Sequence, residues 1–392
     1  MPIVFFPFHD YKLSLVEGFR TRDAHIYGQT IDNSKNKVII VNRPTLFLEV
    51  LLKKKKYKTQ GEVIYSNNFI TIQKVTEKLF IIDIIDFSIL KPVFKGKAFI
   101  SELYFRNTSR LKEALNFLDC HSFTSYESSP LTRETVNFLS PEAKVFDGVD
   151  NFCKHDSYTP LREHLKAEYF QIIDSYDKIF FNGKDSLTYF NCKENENVEF
   201  MANGVDYQRF QTKHTCPELY NASKKSNKDI AVYAGKMQSM FDVNLVRELA
   251  TANQHVDFYF LGKILEGEPD KDLADLTNVI FVGDVHYDLL PAYITHATIC
   301  IIPYLVNKQH GGDPIKFYEY LASGNKIVST LIGDIQKYHN NSDVFIIDRS
   351  EFLSSFKRAL SNPNNNIHRV IPEHMSWQYK ANHMFELSKA KN

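Results

Sequence analysis

Between His310 and Gly324 the chain reads His-Gly-Gly-Asp-Pro-Ile-Lys-Phe-Tyr-Glu-Tyr-Leu-Ala-Ser-Gly, placing two glycines, a lysine and a glutamate on one short helix and its approach. Asp313 suits an N-cap, Pro314 the first helical position and Gly324 a left-handed stop. Ile315, Tyr318 and Leu321/Ala322 then share an inward face, while Lys316, Glu319/Tyr320 and Ser323 fall on the outward one. Bare amides at Gly311 and Gly312, beside the positive end of the helix dipole, suit a phosphate. Lys316 and Glu319 are also spaced i,i+3, which fits an ordinary surface ion pair on a well-capped amphipathic helix.

The flanking elements decide what such a helix can serve. An apolar run at 298–304 precedes it and a second at 326–330 follows, a strand–loop–helix–strand unit whose ligands lie beyond the carboxyl ends of the strands. Upstream, strands are expected at 229–235, 256–262 and 278–283, with helices at 241–253 and 287–297. Downstream come a strand at 344–348 and a helix near 350–361. Apolar strands alternating with amphipathic helices imply a parallel, doubly wound sheet. The first half repeats the rhythm less regularly. Strands are expected at 2–8, 37–41, 69–72, 79–82, 144–146 and 178–181, and helices at 14–27, 45–53, 109–118 and 161–176. A hairpin is the alternative around 60–85, where Asn67-Asn68 separates two β-rich runs. The polar stretch 211–228 reads as a linker. Two α/β domains facing each other across a cleft are expected: 1–210, then 229–375, with 376–392 forming a C-terminal helix that packs back on the first.

At this point the residues resemble a known family. The helix PIKFYEYLASG, Asn203-Gly204-Val205-Asp206 followed by Phe210, and Tyr233-Ala-Gly-Lys236 are similar to segments of the nucleotide-sugar glycosyltransferases of the GT-B fold, particularly the retaining family 4 group. Phe241-Asp242-Val-Asn-Leu245, the run from Val145 to Asn151, and Ser376-Trp377 resemble a subgroup that makes bacterial surface polysaccharides of the teichuronic-acid type. The resemblance covers roughly residues 145–385. It implies two Rossmann-like domains and transfer of a sugar from a UDP-linked donor onto a growing capsule, O-antigen or teichuronic-type glycan, with retention and without a metal or other cofactor.

Carried over by position, Glu319 becomes the ribose ligand, since a carboxylate accepts two hydroxyl hydrogen bonds. Gly311, Gly312 and the helix amides face the diphosphate, with Gly235 at the strand end and Lys236 and Lys316 as cations for the charge that grows on the leaving group. Lys236 also reads as a solvent-facing residue at a strand end. Two departures stand out. Gly311 occupies the position, eight residues before Glu319, where the family usually has a Glu facing the sugar. The loop after Gly235 carries Ser239-Met240-Phe241-Asp242 in place of a second basic residue. Asp313 is the candidate to supply the missing carboxylate. In the first domain Asp150 is the leading catalytic candidate, with Arg22, His25 and His155 as acceptor or phosphate contacts; local caps and loop hydrogen bonds explain such residues equally well.

Bulk properties bound the rest. With 392 residues the chain is long enough for two cores. Its 47 basic and 47 acidic residues cancel, so no overall field favours nucleic acid. Five scattered cysteines without metal-type spacing fit a reducing, cytoplasmic setting. The opening MPIVFFPFHD reads as a first strand rather than a secretion signal. No run reaches the roughly 18 apolar residues of a membrane span. Asp270-Lys271-Asp272 is formally a metal-type D-x-D, but its polar setting reads as a solvated turn. Lys53-Lys54-Lys55-Lys56, Tyr57 and Lys58 are expected either to touch an anionic membrane face holding a lipid-linked glycan acceptor, or to be a solvated helix end. The alternatives to a transferase are a catalytically inactive GT-B partner subunit, a nucleotide-sugar epimerase or a phosphorylase of the same fold.

Overall fold

The computed structural model describes residues 1–52, 61–88, 96–309, 311–362 and 369–389. The basic run at 53–58 and His310 lie outside them. The chain divides into two compact units, Met1–Ala202 with Trp377–Asn392, and Asn203–Ser376.

The second unit is a six-stranded sheet. Its strands are β11 (Asp229–Ala234), β12 (Val256–Leu261), β13 (Val279–Gly283), β14 (Ile299–Ile302), β15 (Lys326–Thr330) and β16 (Val344–Ile347), in the order β13-β12-β11-β14-β15-β16. Every pairing is parallel. Runs such as Ile299-Cys-Ile-Ile302 are apolar on both faces and wholly buried, as a sheet covered on both sides requires. The expected strands and helices of this half are present, with ends shifted by one or two residues. The exception is 287–297, where a 3₁₀ turn Tyr287–Leu289 precedes the helix Leu290–Thr295. The stretch 211–228 is no linker. It folds into the second unit, where Tyr220 is fully buried against Tyr259 and its hydroxyl donates to the Tyr293 carbonyl at 3.1 Å.

The first unit holds a ten-stranded sheet: β1 (Ile3–Phe6), β2 (Val38–Val41), β3 (Thr45–Leu46), β4 (Glu62–Ser66), β5 (Ile70–Lys74), β6 (Leu79–Asp86), β7 (Thr124–Glu127), β8 (Ala143–Gly148), β9 (Lys178–Phe181) and β10 (Val198–Phe200). The order is β10-β9-β8-β7-β1-β2-β6-β5-β4, with the short β3 beside β6. β4, β5 and β6 are antiparallel and form the hairpin alternative. Asn67 makes that turn, its Oδ1 accepting from the amides of Phe69 and Ile70 at 2.8 Å.

The helix expected over 14–27 is two helices, Tyr11–Glu17 and Arg22–Asn33. They are broken at Gly18 and Phe19, whose φ angles of 85° and 61° no right-handed helix accommodates. The helix Trp377–Lys389 packs on Arg22–Asn33, with Trp377 fully buried and its ring stacked on His25 at 4.8 Å.

Candidate active site

In the second unit the carboxyl ends of β11, β12 and β14 converge on the start of the helix Ile315–Ser323. β11 ends at Gly235 and β12 at Gly262, with φ of 149° and 139°. A Cβ on Gly262 would collide with the Gly235 carbonyl, and one on Gly235 with the Lys316 ammonium. Glycine is therefore required at both strand ends.

The helix is not the half-exposed element expected. Lys316 is 9% exposed, Glu319 3% and Tyr320 0%. Its outward face is covered by the helices Tyr207–Gln211 and Leu290–Thr295, which pack on it. Lys316 makes no surface ion pair with Glu319. Its Nζ donates to Tyr304 Oη at 2.5 Å and Tyr233 Oη at 3.1 Å, and lies 4.2 Å from the Tyr233 ring centroid. Among the described residues no carboxylate pairs with it. Burying a cation among neutral groups is costly.

Glu319 faces the buried phenol of Tyr287, whose pKa is held well above its usual value by burial first, then by the Glu319 charge and a hydrogen bond with it. The amides of Gly311, Gly312, Ile315 and Lys316 donate to no acceptor among the described residues. Gln309 latches the approach, its Nε2 donating to the carbonyls of Gly311 at 3.1 Å and Gly312 at 2.8 Å, while its Oε1 accepts from the Gly333 amide at 3.1 Å. Lys236 is half-buried, and its carbonyl accepts from Tyr233 Oη at 2.8 Å.

Asp313 departs from its expected role. Pro314 occupies the cap position, with no side-chain cap. The Asp313 carboxylate is buried and engaged on both oxygens, Oδ2 by Tyr318 Oη and Oδ1 by the Asp334 amide, each at 2.6 Å. Asn203 donates to its carbonyl at 2.6 Å. Asp313 thus ties three segments of the second unit together, and burial raises its pKa. It is a structural tie rather than the substitute for a carboxylate at Gly311.

Residues 230–362 match the family model described as glycosyl transferases group 1. No curated protein is significantly similar to the chain. Among solved structures, sucrose-phosphate synthase from Thermosynechococcus elongatus superposes with a TM-score of 0.68 at 10% identity, covering 99% of this chain and 98% of that one. Anabaena HepE in complex with UDP and glucose gives 0.60 at 12% identity, with 99% and 97% coverage. An α,α-trehalose-phosphate synthase (UDP-forming) from Burkholderia xenovorans, in complex with glucose-6-phosphate, gives 0.60 at 12% identity, with 100% and 97% coverage. The fold is GT-B. The second unit carries a glycosyl transferase group 1 domain, and the class of enzyme so defined is a glycosyltransferase.

The first-unit candidates separate. Asp150 stands exposed just past the carboxyl end of β8. Arg22 is not available to a phosphate. Its Nε grips Asp147 Oδ1 and Oδ2 at 3.0 and 2.9 Å, and its Nη1 donates to the Ala202 carbonyl at 3.2 Å. His25 is buried under Trp377. His155 Nδ1 caps a 3₁₀ turn, accepting from the Ser157 amide at 3.2 Å. Each of the three thus meets a partner within the first unit that the sequence does not show.

Sequence reasoning also missed Tyr304, Tyr287 and Gly262. The available signal was position, since Gly262 directly follows β12 and Tyr304 lies two residues past β14. Asp270 and Asp272 are exposed, and among the described residues no three His, Cys, Asp or Glu side chains are grouped to hold a metal. Nor, among those residues, is any helix long and apolar enough to cross a membrane.

Proposed function

We propose that the chain transfers a sugar from a nucleotide-diphosphate donor, UDP-linked, to a hydroxyl of a growing bacterial surface glycan, with retention and without a metal. The observation that carries the donor half is Lys316: a buried ammonium with no anionic partner among the described residues, beside unfilled helix amides and two obligatory glycines. As the glycosyl C–O bond breaks, negative charge gathers on the departing diphosphate, and fixed donors around it lower the barrier. Glu319 accepts the ribose hydroxyls and Lys236 lends a second cation. Asp150, on the first unit, faces the acceptor.

The UDP bound to HepE and the UDP-forming nature of the trehalose-phosphate synthase support the choice of nucleotide. The surface-glycan acceptor rests on the sequence resemblance. The glucose-6-phosphate complex of the Burkholderia enzyme favours a second reading, in which the acceptor is a sugar phosphate.

Replacing Glu319 with Ala removes charge-assisted hydrogen bonds worth ~1.5–3 kcal/mol each, so affinity for UDP should fall at least ~100-fold. Unchanged UDP binding by Glu319→Ala would overturn the site. Screening UDP-sugars against glycan and sugar-phosphate acceptors separates the two acceptor readings.

A further inference from the structure

We infer that Tyr304 and Tyr233 are positioning residues for donor binding: their hydroxyls hold the Lys316 ammonium at the Gly235 strand end, where it meets the diphosphate. The inference rests on the donor-site reading above and assigns roles that the carried-over motif does not contain.

A lysine side chain is flexible, and its ammonium has three N–H donors. Here two of the three are spent on phenol oxygens, Tyr304 at 2.5 Å and Tyr233 at 3.1 Å. Both rings also lie under the charge, with centroids 4.2 and 4.8 Å from Nζ, so their negative faces add to the hold. The direction of the network is fixed. Tyr233 Oη donates to the Lys236 carbonyl at 2.8 Å, which leaves its oxygen to accept from Lys316.

Each ring is itself anchored. The Tyr304 amide donates to Thr330 Oγ1 at 3.3 Å, and its carbonyl accepts from the same hydroxyl at 2.9 Å, which pins the residue to the end of β15. Tyr233 packs on Phe241 at 5.1 Å and Phe260 at 6.1 Å. The ammonium therefore occupies the space a side chain on Gly235 would fill.

The chemistry of the holders matters as much as their geometry. A carboxylate in either place would neutralise the lysine and compete with the ligand. Neutral phenols orient the charge and leave it whole, with one N–H for a phosphate oxygen. The pair also accounts for a loop after β11 without a second basic residue, because the cation arrives from the helix instead.

The test is a double-mutant cycle on the full chain, with UDP binding measured by calorimetry and uridine binding by ligand-observed NMR. Tyr304→Phe keeps the ring and removes only the hydroxyl. It should weaken UDP about tenfold and leave uridine unchanged, and Tyr233→Phe should act in the same direction. In a Lys316→Met background Tyr304→Phe should have no further effect on UDP, since the hydroxyl acts through the lysine.

Equal losses for UDP and uridine, or the same tenfold loss in the Lys316→Met background, would mark Tyr304 as merely structural and overturn the inference. Wild-type chain that binds UDP while Tyr304→Phe binds it equally well overturns the inference alone. Wild-type chain that does not bind UDP overturns the donor site, and this inference with it.

Discussion

Two buried cations, one in each unit, make the sharpest contrast in the molecule. Arg22 opens the helix Arg22–Asn33 and Lys316 is the second residue of the helix Ile315–Ser323, so both sit against the positive end of a helix dipole. Both are withdrawn from water, at 4% and 9% exposure. Arg22 is neutralised within the chain, gripped by Asp147 at 2.9–3.0 Å, while Tyr126 holds the second carboxylate oxygen at 2.7 Å. Among the described residues, Lys316 is held by phenols alone. Residue type and placement are nearly equivalent, yet one group completes a core and the other lacks a counter-charge that a ligand can bring. The balance of charge around a buried cation, rather than its presence at a helix start, separates structure from binding.

The largest effect expected falls on the balanced cation. Asp147→Asn strands the Arg22 charge in a dry site and should cost about 3–5 kcal/mol of stability, read as a lowered denaturant midpoint with an unchanged slope. A loss below about 1 kcal/mol would mean that Arg22 needs no counter-charge, and the contrast with Lys316 would fail. Lys316→Met should behave in the opposite way. It removes an uncompensated buried charge, so the unliganded protein should hold its stability or gain. What disappears is stabilisation by UDP, about 2.7 kcal/mol at a hundred times the dissociation constant. If Lys316→Met destabilised the free protein as strongly as Asp147→Asn, Lys316 would be a structural residue after all.

The sequence is uneven in what it discloses, and the unevenness follows the same physics. Apolar parallel strands such as Val38–Val41 and Ile299–Ile302 are legible because burial on both faces leaves no other composition open. β7, Thr-Ser-Tyr-Glu, is equally buried and lies between β1 and β8, yet no strand is expected there from the sequence. Its polar side chains are tolerated because Tyr126 bonds Asp147 and Glu127 takes the hydroxyls of Thr132, close by, and of Tyr176, far away in sequence. The site helix was legible through Pro314, Glu319 and Gly324, but its burial was not, because periodicity shows a preferred face and not what covers the other one. Tyr304 was hidden for a related reason: its function depends on a lysine twelve residues on, and no spacing rule joins a strand end to a helix side chain.

Glu127 offers a third way to house a charge, and the smallest effect of the three. It is fully buried at the end of β7, with Tyr176 Oη donating to Oε1 at 2.7 Å and Thr132 Oγ1 to Oε2 at 2.8 Å. Burial pushes its carboxyl up from 4.5 to about 7, outweighing those two donors and the more distant Lys144 and Arg133. Where Arg22 keeps its charge with a partner, Glu127 gives its charge up as the pH falls. The folded state therefore holds a proton that the unfolded chain releases near 4.5. Stability tied to that proton is fully present below the unfolded value. It declines as pH rises between about 4.5 and 7, and it is gone above the folded value. Each pKa unit corresponds to 1.36 kcal/mol, so after relaxation of the buried site the decline should be about 2 kcal/mol. Glu127→Gln carries no charge at any pH and keeps an oxygen for Tyr176 or Thr132. Its stability should match that of the wild type at pH 4.5 and exceed it at pH 8, measured by denaturant midpoints across that range. Parallel profiles for the two proteins would show that Glu127 titrates alike folded and unfolded, its buried charge held at close range by Tyr176 and Thr132. Neutral hydroxyls would then be sufficient to hold a full buried charge of either sign, and the missing counter-charge at Lys316 would no longer distinguish a ligand site from a core.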